Sequence, residues 1–199
     1  MTPVVRNILL ACVAVFLLQQ VAGPSLEYWF ALWPLDLAPP YGAGFHLWQL
    51  VTYAFLHGGF THILFNMFAL YMFGPDIERL VGPRRFSVYF LVCVVSAGLT
   101  QLIVEHLERG LAEPTIGASG GIFGILLAFG LAYPHRRLLL IFPPIPMPAW
   151  LFVTLYGLVE LYAGVTGTAA GVAHFAHLGG MIGGFALILY WRSRGSLRS

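Results

Sequence analysis

The sequence predicts an all-α polytopic membrane protein, a bundle of six transmembrane helices formed by a single domain over residues 1–199. Of its residues, 59% are hydrophobic and only 9% are charged, and the mean hydropathy is +0.82. In a soluble domain about a quarter of the residues are charged. The composition of this chain therefore excludes an ordinary soluble domain. A span needs about 20 apolar residues, which leaves room for roughly six spans and no second domain.

Apolar runs separated by glycine, proline and charged residues mark the six helices in order. They cover residues 7–23, 61–77, 86–105, 119–133, 149–166 and 174–191. The first run follows Arg6, as in a signal peptide, but its apolar stretch is long for one, and we expect a retained helix. The long connection 24–60 is rich in aromatic residues and lacks lysine and arginine. We expect it at the outer membrane interface, where its aromatics either anchor the fold or contact substrate.

The positive charges fall on one side of this topology. The chain has no lysine, and nine of its ten arginines lie at the N-terminus, after the second and fourth spans, or at the C-terminus. With six spans these segments share one face, which the positive-inside rule makes cytoplasmic. Both termini are therefore expected in the cytoplasm.

Several classes of ligand lack support in the sequence. Cys12 and Cys93 lie in separate apolar runs without a C-x-x-C spacing, which favours neither a disulfide framework nor a zinc cluster. No basic stripe with interleaved aromatics indicates nucleic acid. The candidate metal ligands are four histidines, His57, His62, His174 and His177. No H-E-x-x-H motif or acidic partner accompanies them, so we expect no metal.

Two polar residues stand inside apolar runs, where such groups are rare and often functional. Ser119 opens the fourth run, and His177 lies in the sixth. The fourth run spans only about 22 Å of a hydrocarbon core about 30 Å thick, so Ser119 is recessed from the outer surface. Helix N–H groups at that point would stabilise a developing oxyanion. Serine needs a base to become a nucleophile, and histidine is a suitable one.

Glycines on the fourth and sixth spans would let these two helices approach closely. They are Gly120, Gly121, Gly124, Gly179, Gly180, Gly183 and Gly184. Close approach would bring Ser119 and His177 within hydrogen-bonding reach. The alternative is that the glycines serve packing alone and the two polar residues satisfy each other. The sixth span has no carboxylate and Glu160 lies on another helix, so a Ser–His dyad is expected rather than a triad.

His62 and Asn66 are four residues apart and therefore lie on one face of the second span. Both can donate hydrogen bonds, and facing Ser119 they would complete an oxyanion hole. The competing interpretation is hydrogen bonding between helices.

The segment from Thr166 to Ala173 is small, uncharged and contains glycine. We expect it to be mobile and to act as a lid over the Ser119 cavity.

Over essentially its whole length the chain resembles the rhomboid intramembrane serine proteases. The family's His-x-x-x-Asn corresponds to 62–66, its Gly-x-Ser-Gly to 117–120, and its histidine followed by glycines to 176–180. The resemblance implies Ser119 as nucleophile and His177 as general base. It implies His62, Asn66 and the Ser119 N–H as oxyanion donors, with Gly117 and Gly120 in support.

The resemblance also implies partners and location. Family substrates are membrane proteins with one easily unwound span, met within the lipid bilayer, and no cofactor is implied. The minimal six-helix form fits the plasma (inner) membrane of a prokaryote, and no long Arg- and Ser-rich presequence indicates a mitochondrial version.

Three positions depart from the family pattern. Gln49 follows Trp48 where the family often has arginine, and we expect a different anchoring of the first loop. Phe123 replaces a tyrosine that commonly stacks on the histidine, so stacking should survive without the hydroxyl. His174, one turn before His177, has an open role.

Besides proteolysis, two other functions are possible for a membrane protein with these residues. A catalytically silent relative that binds membrane clients would lack Ser119 or His177, and both are present. A transporter with a histidine proton relay would need a midplane acid beside the histidines.

Overall fold

The computed structural model describes residues 1–36, 43–108, 113–140, 144–168 and 173–195. Within these ranges the chain is mostly helical. The long helices are α1 (Pro3–Ala22), α4 (Phe60–Val81), α5 (Pro83–Glu108), α6 (Ser119–Ala132), α7 (Ala149–Thr166) and α8 (His174–Ser193). Short helices α2 (Pro24–Phe30) and α3 (Gln49–Thr52) lie in the first connection, and a 3₁₀ turn (Tyr53–Phe55) follows α3. Strands β1 (Arg137–Leu139) and β2 (Pro146–Pro148) pair antiparallel between α6 and α7.

Each predicted apolar run corresponds to one long helix and extends at most one residue beyond it. The main differences are at charged ends. The helix α1 begins at Pro3, a residue favoured at the first helical position because it has no N–H to satisfy. The helix α4 continues through a charged turn to Val81 because its buried Glu78 has partners. The Glu78 carboxylate accepts hydrogen bonds from the N–H groups of Val4 (3.0 Å) and Val5 (2.8 Å).

Within the described ranges, three helices have both the length and the hydropathy of a membrane span. They are Pro3–Ala22, Pro83–Leu107 within α5, and Ala149–Thr166. The helix α4 carries three charged residues near its end, α6 has only 14 residues, and α8 contains two histidines and four glycines. Polar and charged residues lower the mean hydropathy of α4 and α8, and α6 is short. A count of six spans therefore stays a prediction.

The short helix α6 lies at the centre of the bundle. It packs against α4, α5, α7 and α8, and ten of its 14 residues are buried. Its N-terminal residue Ser119 is partly buried between these helices.

Glycines set the close contact between α6 and α8, as predicted. A Cβ added to Gly180 would overlap the backbone oxygen of Gly120, and one added to Gly124 would lie 3.1 Å from the backbone oxygen of Gly180. Not all the predicted glycines serve this contact, because the nearest neighbours of Gly121, Gly179, Gly183 and Gly184 belong to α5. The sixth-span glycines therefore allow α8 to approach two helices.

Gln49 anchors the first connection through a neutral amide. Its fully buried side chain accepts hydrogen bonds at Oε1 from the N–H groups of Trp33 (3.3 Å) and His46 (3.2 Å). Its Nε2 donates to the carbonyl oxygen of Gly44 (3.2 Å). The Gln49 side chain thus joins the two described parts of this connection, which end at residue 36 and resume at residue 43.

Candidate active site

The first residue of α6 and the first turn of α8 meet inside the bundle. Ser119 Oγ lies 2.8 Å from His177 Nε2, and the His177 residue is 7% exposed. The hydroxyl donates to this nitrogen when the ring proton is on Nδ1. The structure therefore brings together the two residues that the sequence singled out, in the geometry that a serine and its base require.

Gly117 makes room for His62 beside Ser119. Its φ of +126° suits glycine, and an added Cβ would lie 2.8 Å from His62 Cε1 and Nε2. The Gly117 N–H donates to the carbonyl of Tyr53 (2.9 Å), which holds the turn before α6. The N–H of Gly58 donates to His62 Nδ1 (3.3 Å). Because Nδ1 accepts, the neutral ring carries its proton on Nε2, the atom next to Gly117.

Asn66 is buried on the same face of α4. Its Nδ2 donates to the carbonyl oxygen of His62 (3.0 Å). A side-chain amide has two N–H donors, so one donor is left after this bond. Among the described residues Asn66 has no hydrogen bond to Ser119, and its predicted role in an oxyanion hole is untested.

Aromatic rings hold the plane of His177. Phe123 stacks on it with ring centroids 4.3 Å apart and an interplanar angle of 5°, which confirms the predicted stacking. The other face of Phe123 stacks on Tyr156 of α7, at 5.1 Å and 15°. The hydroxyl lost at position 123 leaves this stacking intact, and α7 contributes to the site through Tyr156.

The prediction that no acidic partner accompanies the histidines is wrong. Glu160 of α7 places Oε2 2.8 Å from His177 Nδ1 and 2.6 Å from His174 Nδ1. The expectation that no carboxylate orients His177 is wrong for the same reason, while the Ser–His dyad stays a prediction. A charged residue inside the apolar fifth run was the available signal, but the sequence does not say which helix face it occupies.

His174, whose role was open, joins Glu160 to the end of α7. Its Nδ1 faces the carboxylate and its Nε2 lies 3.1 Å from the carbonyl oxygen of Thr168. Thr166, Gly167 and Thr168 are described, but residues 169–172 of the predicted lid lie outside the described residues. A lid motion stays a prediction.

Glu160, His174 and His177 are also the described residues that come closest to a metal site. Their ligand atoms lie within 4.8 Å of one another. Zinc binds N and O ligands at about 2.0–2.2 Å, which separates tetrahedral ligands by more than about 3 Å. The contacts of 2.6 and 2.8 Å are shorter and have hydrogen-bond geometry, so this cluster fits shared protons better than an ion.

His57 supports His62 from the loop before α4. The two rings meet edge to face with centroids 5.1 Å apart. The backbone N–H of His57 donates to Gln19 Oε1 (3.0 Å). Burial, together with the neighbouring His62, lowers the pKa of His57 to about 4. The ring is therefore uncharged at neutral pH, and it packs against His62 without repelling it.

The fold and the site thus define a helical membrane protein with a serine hydrogen-bonded to a histidine inside its bundle. The Rhomboid family model, described as a rhomboid domain, matches residues 44–194. This chain is a member of the rhomboid family.

Three relatives show how far the similarity extends. The chain is 33% identical over 144 residues to Rhomboid protein 1, mitochondrial, of Saccharomyces cerevisiae, covering 68% of this chain and 39% of that protein. It is 29% identical over 188 residues to the Putative rhomboid protease YdcA of Bacillus subtilis, covering 93% and 86%. It is 26% identical over 200 residues to the Rhomboid protease GlpG of Yersinia enterocolitica, covering 99% and 65%. The chain thus spans less than two thirds of the yeast and Yersinia proteins.

Proposed function

We propose that this protein is an intramembrane serine endopeptidase that cleaves transmembrane segments of membrane proteins. The observation that carries the proposal is the 2.8 Å contact between Ser119 Oγ and His177 Nε2 within an apolar helical bundle. The family and the relatives named rhomboid proteases support the reaction class.

In the proposed reaction His177 Nε2 takes the hydroxyl proton while Ser119 Oγ attacks the scissile carbonyl carbon. The tetrahedral oxyanion collapses as the amine leaves with the proton from His177. Water then attacks the acyl-serine, giving a proton to Nε2, and Ser119 is regenerated when it regains that proton. The ring of Phe123, backed by that of Tyr156, holds the imidazole in one plane during these proton transfers.

The proposed oxyanion donors converge from two helices. The first N–H groups of a helix have no partner within it, so the Ser119 N–H at the start of α6 is one donor. His62 Nε2–H, beside Gly117, is a second, and the free N–H of the Asn66 amide is a third. Donors fixed before reaction stabilise the charge as it forms.

The proposed setting is a single domain over residues 1–199 with six membrane-crossing helices in the plasma membrane of a prokaryote. Substrate spans would reach Ser119 from the bilayer. We assign no cofactor to the reaction, since a serine and a histidine supply the nucleophile and the proton transfers.

The two other functions fit the site less well. A client-binding relative has no need of a serine hydroxyl aligned on a histidine nitrogen. A proton relay gains support from Glu160 beside His174 and His177, but the described chain of hydrogen bonds ends at the Ser119 hydroxyl, the group that a nucleophile requires.

Labelling with a fluorophosphonate tests the proposal directly. The purified protein in proteoliposomes should be modified at Ser119, as located by mass spectrometry of the labelled peptide. Ser119→Ala and His177→Ala should both lose labelling and cleavage of a fluorogenic transmembrane substrate. The double variant should be little worse than either, because a nucleophile and its base act as a unit.

The matched control is Ser87→Ala. Ser87 is an exposed helical serine that donates to the carbonyl of Pro83 (3.0 Å), and its removal should leave labelling and cleavage unchanged. Labelling of another serine, or cleavage by Ser119→Ala within about tenfold of wild type, would show that Ser119 is not the nucleophile.

A further inference from the structure

Behind His177 lies a carboxylate–histidine pair that the proposed dyad does not use. Glu160 Oε2 faces both His177 Nδ1 (2.8 Å) and His174 Nδ1 (2.6 Å). The three side chains are between 8% and 11% exposed. A buried carboxylate is costly unless its charge is compensated and its oxygens are hydrogen-bonded, so the contacts of Glu160 call for an explanation.

The hydrogen-bond donors and acceptors fix the number of protons in this cluster. The carbonyl oxygen of Thr168 only accepts, so His174 Nε2 carries a proton and donates to it. In the proposed catalytic arrangement His177 Nε2 accepts from Ser119, so a neutral His177 carries its proton on Nδ1 and donates to Glu160.

One further proton belongs to the contact between His174 and Glu160. If it is on His174 Nδ1, the ring is an imidazolium paired with a carboxylate. If it is on Glu160, the carboxyl group donates it to Nδ1. In both placements the pair is neutral overall, which removes the cost of an isolated buried charge.

We propose that Glu160 and His174 are positioning residues for His177. Glu160 holds the proton of His177 on Nδ1, which leaves Nε2 free to accept the Ser119 proton. His174 keeps Glu160 in place through two hydrogen bonds, one with the carboxyl group and one to the carbonyl oxygen of Thr168. The inference rests on the proposed roles of Ser119 and His177.

The pair also matters after the proton transfer. When His177 takes the Ser119 proton, its ring becomes a cation in contact with Glu160. With the shared proton on His174, Glu160 is an anion at the moment when the His177 cation forms. The pair is thus arranged to favour the protonated base that precedes departure of the amine.

The first test is the tautomer of His177, read from its nitrogen chemical shifts in protein labelled with ¹⁵N-histidine. Wild type should show the proton on Nδ1. In Glu160→Ala the acceptor is gone, and the proton should move to Nε2, where it can be donated to Ser119 Oγ. A wild-type ring protonated on Nε2, or a tautomer unchanged in Glu160→Ala, would overturn the proposal even if the protein proved inactive.

The second test separates positioning from helix packing by kinetics. Glu160→Ala should lower kcat by roughly 10²- to 10⁴-fold with little change in KM. The isosteric Glu160→Gln keeps the side-chain volume and should also lower kcat. It serves in place of Glu160→Ala if that variant does not fold. His174→Gln, which keeps one donor, should retain more activity than His174→Ala. Equal kcat in Glu160→Gln and wild type would overturn the proposal.

The matched control is the exposed pair formed by Asp36 and His106, whose Oδ2 and Nδ1 lie 2.8 Å apart. Asp36→Asn removes the charge of a carboxylate from a histidine contact away from Ser119. It should leave kcat and the His177 tautomer unchanged.

Discussion

At the scale of residues, the Asn66 amide is only partly hydrogen-bonded in the resting protein. Asn66 uses one amide N–H for the carbonyl of its own helix at His62 and keeps the other. We predict that Asn66→Ala lowers kcat by about 10- to 1000-fold with little change in KM, because the spare donor acts mainly on the transition-state charge. Steady-state cleavage of a transmembrane substrate in proteoliposomes measures both constants.

Thr154→Ala is the matched control for Asn66→Ala. Thr154 Oγ1 also donates to the carbonyl four residues earlier in its helix, that of Trp150 (2.8 Å), but it is exposed on α7. Its removal should change neither constant. A change in KM alone for Asn66→Ala would place this side chain in substrate binding and not in the oxyanion hole.

The sequence predicted the residues that lie at motif positions and missed one that is set by packing. Ser119 and His177 follow from local patterns and their place in apolar runs, and the stacking of Phe123 follows from the family resemblance. Glu160 reaches His177 from a different helix, and its role depends on the rotation of α7 about its axis. That rotation is fixed by contacts such as the stack of Tyr156 on Phe123, which no local pattern encodes.

At the scale of helices, the distance between α6 and α8 depends on two glycines. We predict that Gly180→Ala destabilises the protein by about 1–3 kcal/mol or more, because the added methyl group meets the backbone oxygen of Gly120, which cannot rotate away. Thermal unfolding in detergent measures the effect. Cleavage should also fall, since His177 is three residues away on the same helix.

The control for that prediction is Gly157→Ala, another helical glycine. An added Cβ there would lie 3.4 Å from Cε of the flexible Met181, an ordinary contact. Alanine also favours helix over glycine, so stability should hold or rise slightly. Equal melting temperatures for the two variants would mean that α6 and α8 are not held together at this contact.

Helix positions followed from hydropathy, whereas helix neighbours did not. Composition and apolar runs located all six long helices because each must bury or present an apolar surface. The hydrogen bonds from the N–H groups of Val4 and Val5 to the Glu78 carboxylate join residues more than 70 positions apart. Such a contact caps α1 from α4, and neither run carries a signal for it.

At the scale of the whole molecule, the described arginines gather at one end of the bundle. Glu78, near the end of α4, binds the start of α1, while Asp76 binds both Arg79 and Arg136, which follows α6. The start of α5 meets the end of α8 through the rings of Tyr89 and Trp191, 6.2 Å apart. Arg109 and Arg198 lie outside the described residues. The opposite end carries the contact of Asp36 with His106.

This charge distribution predicts the orientation of the protein in the membrane. The arginine-bearing end should be cytoplasmic, since positively charged segments are retained on that side. Leu35 is exposed in the first connection and Ser193 is exposed at the end of α8, so Leu35→Cys and Ser193→Cys each provide a reactive thiol on one side of the bundle. The natural Cys12 and Cys93 are buried. In intact bacterial cells a membrane-impermeant maleimide should label Leu35→Cys and should reach Ser193→Cys only after permeabilisation. The reverse pattern would place both termini outside and would contradict the assignment of the recessed Ser119 to the outer half of the bilayer.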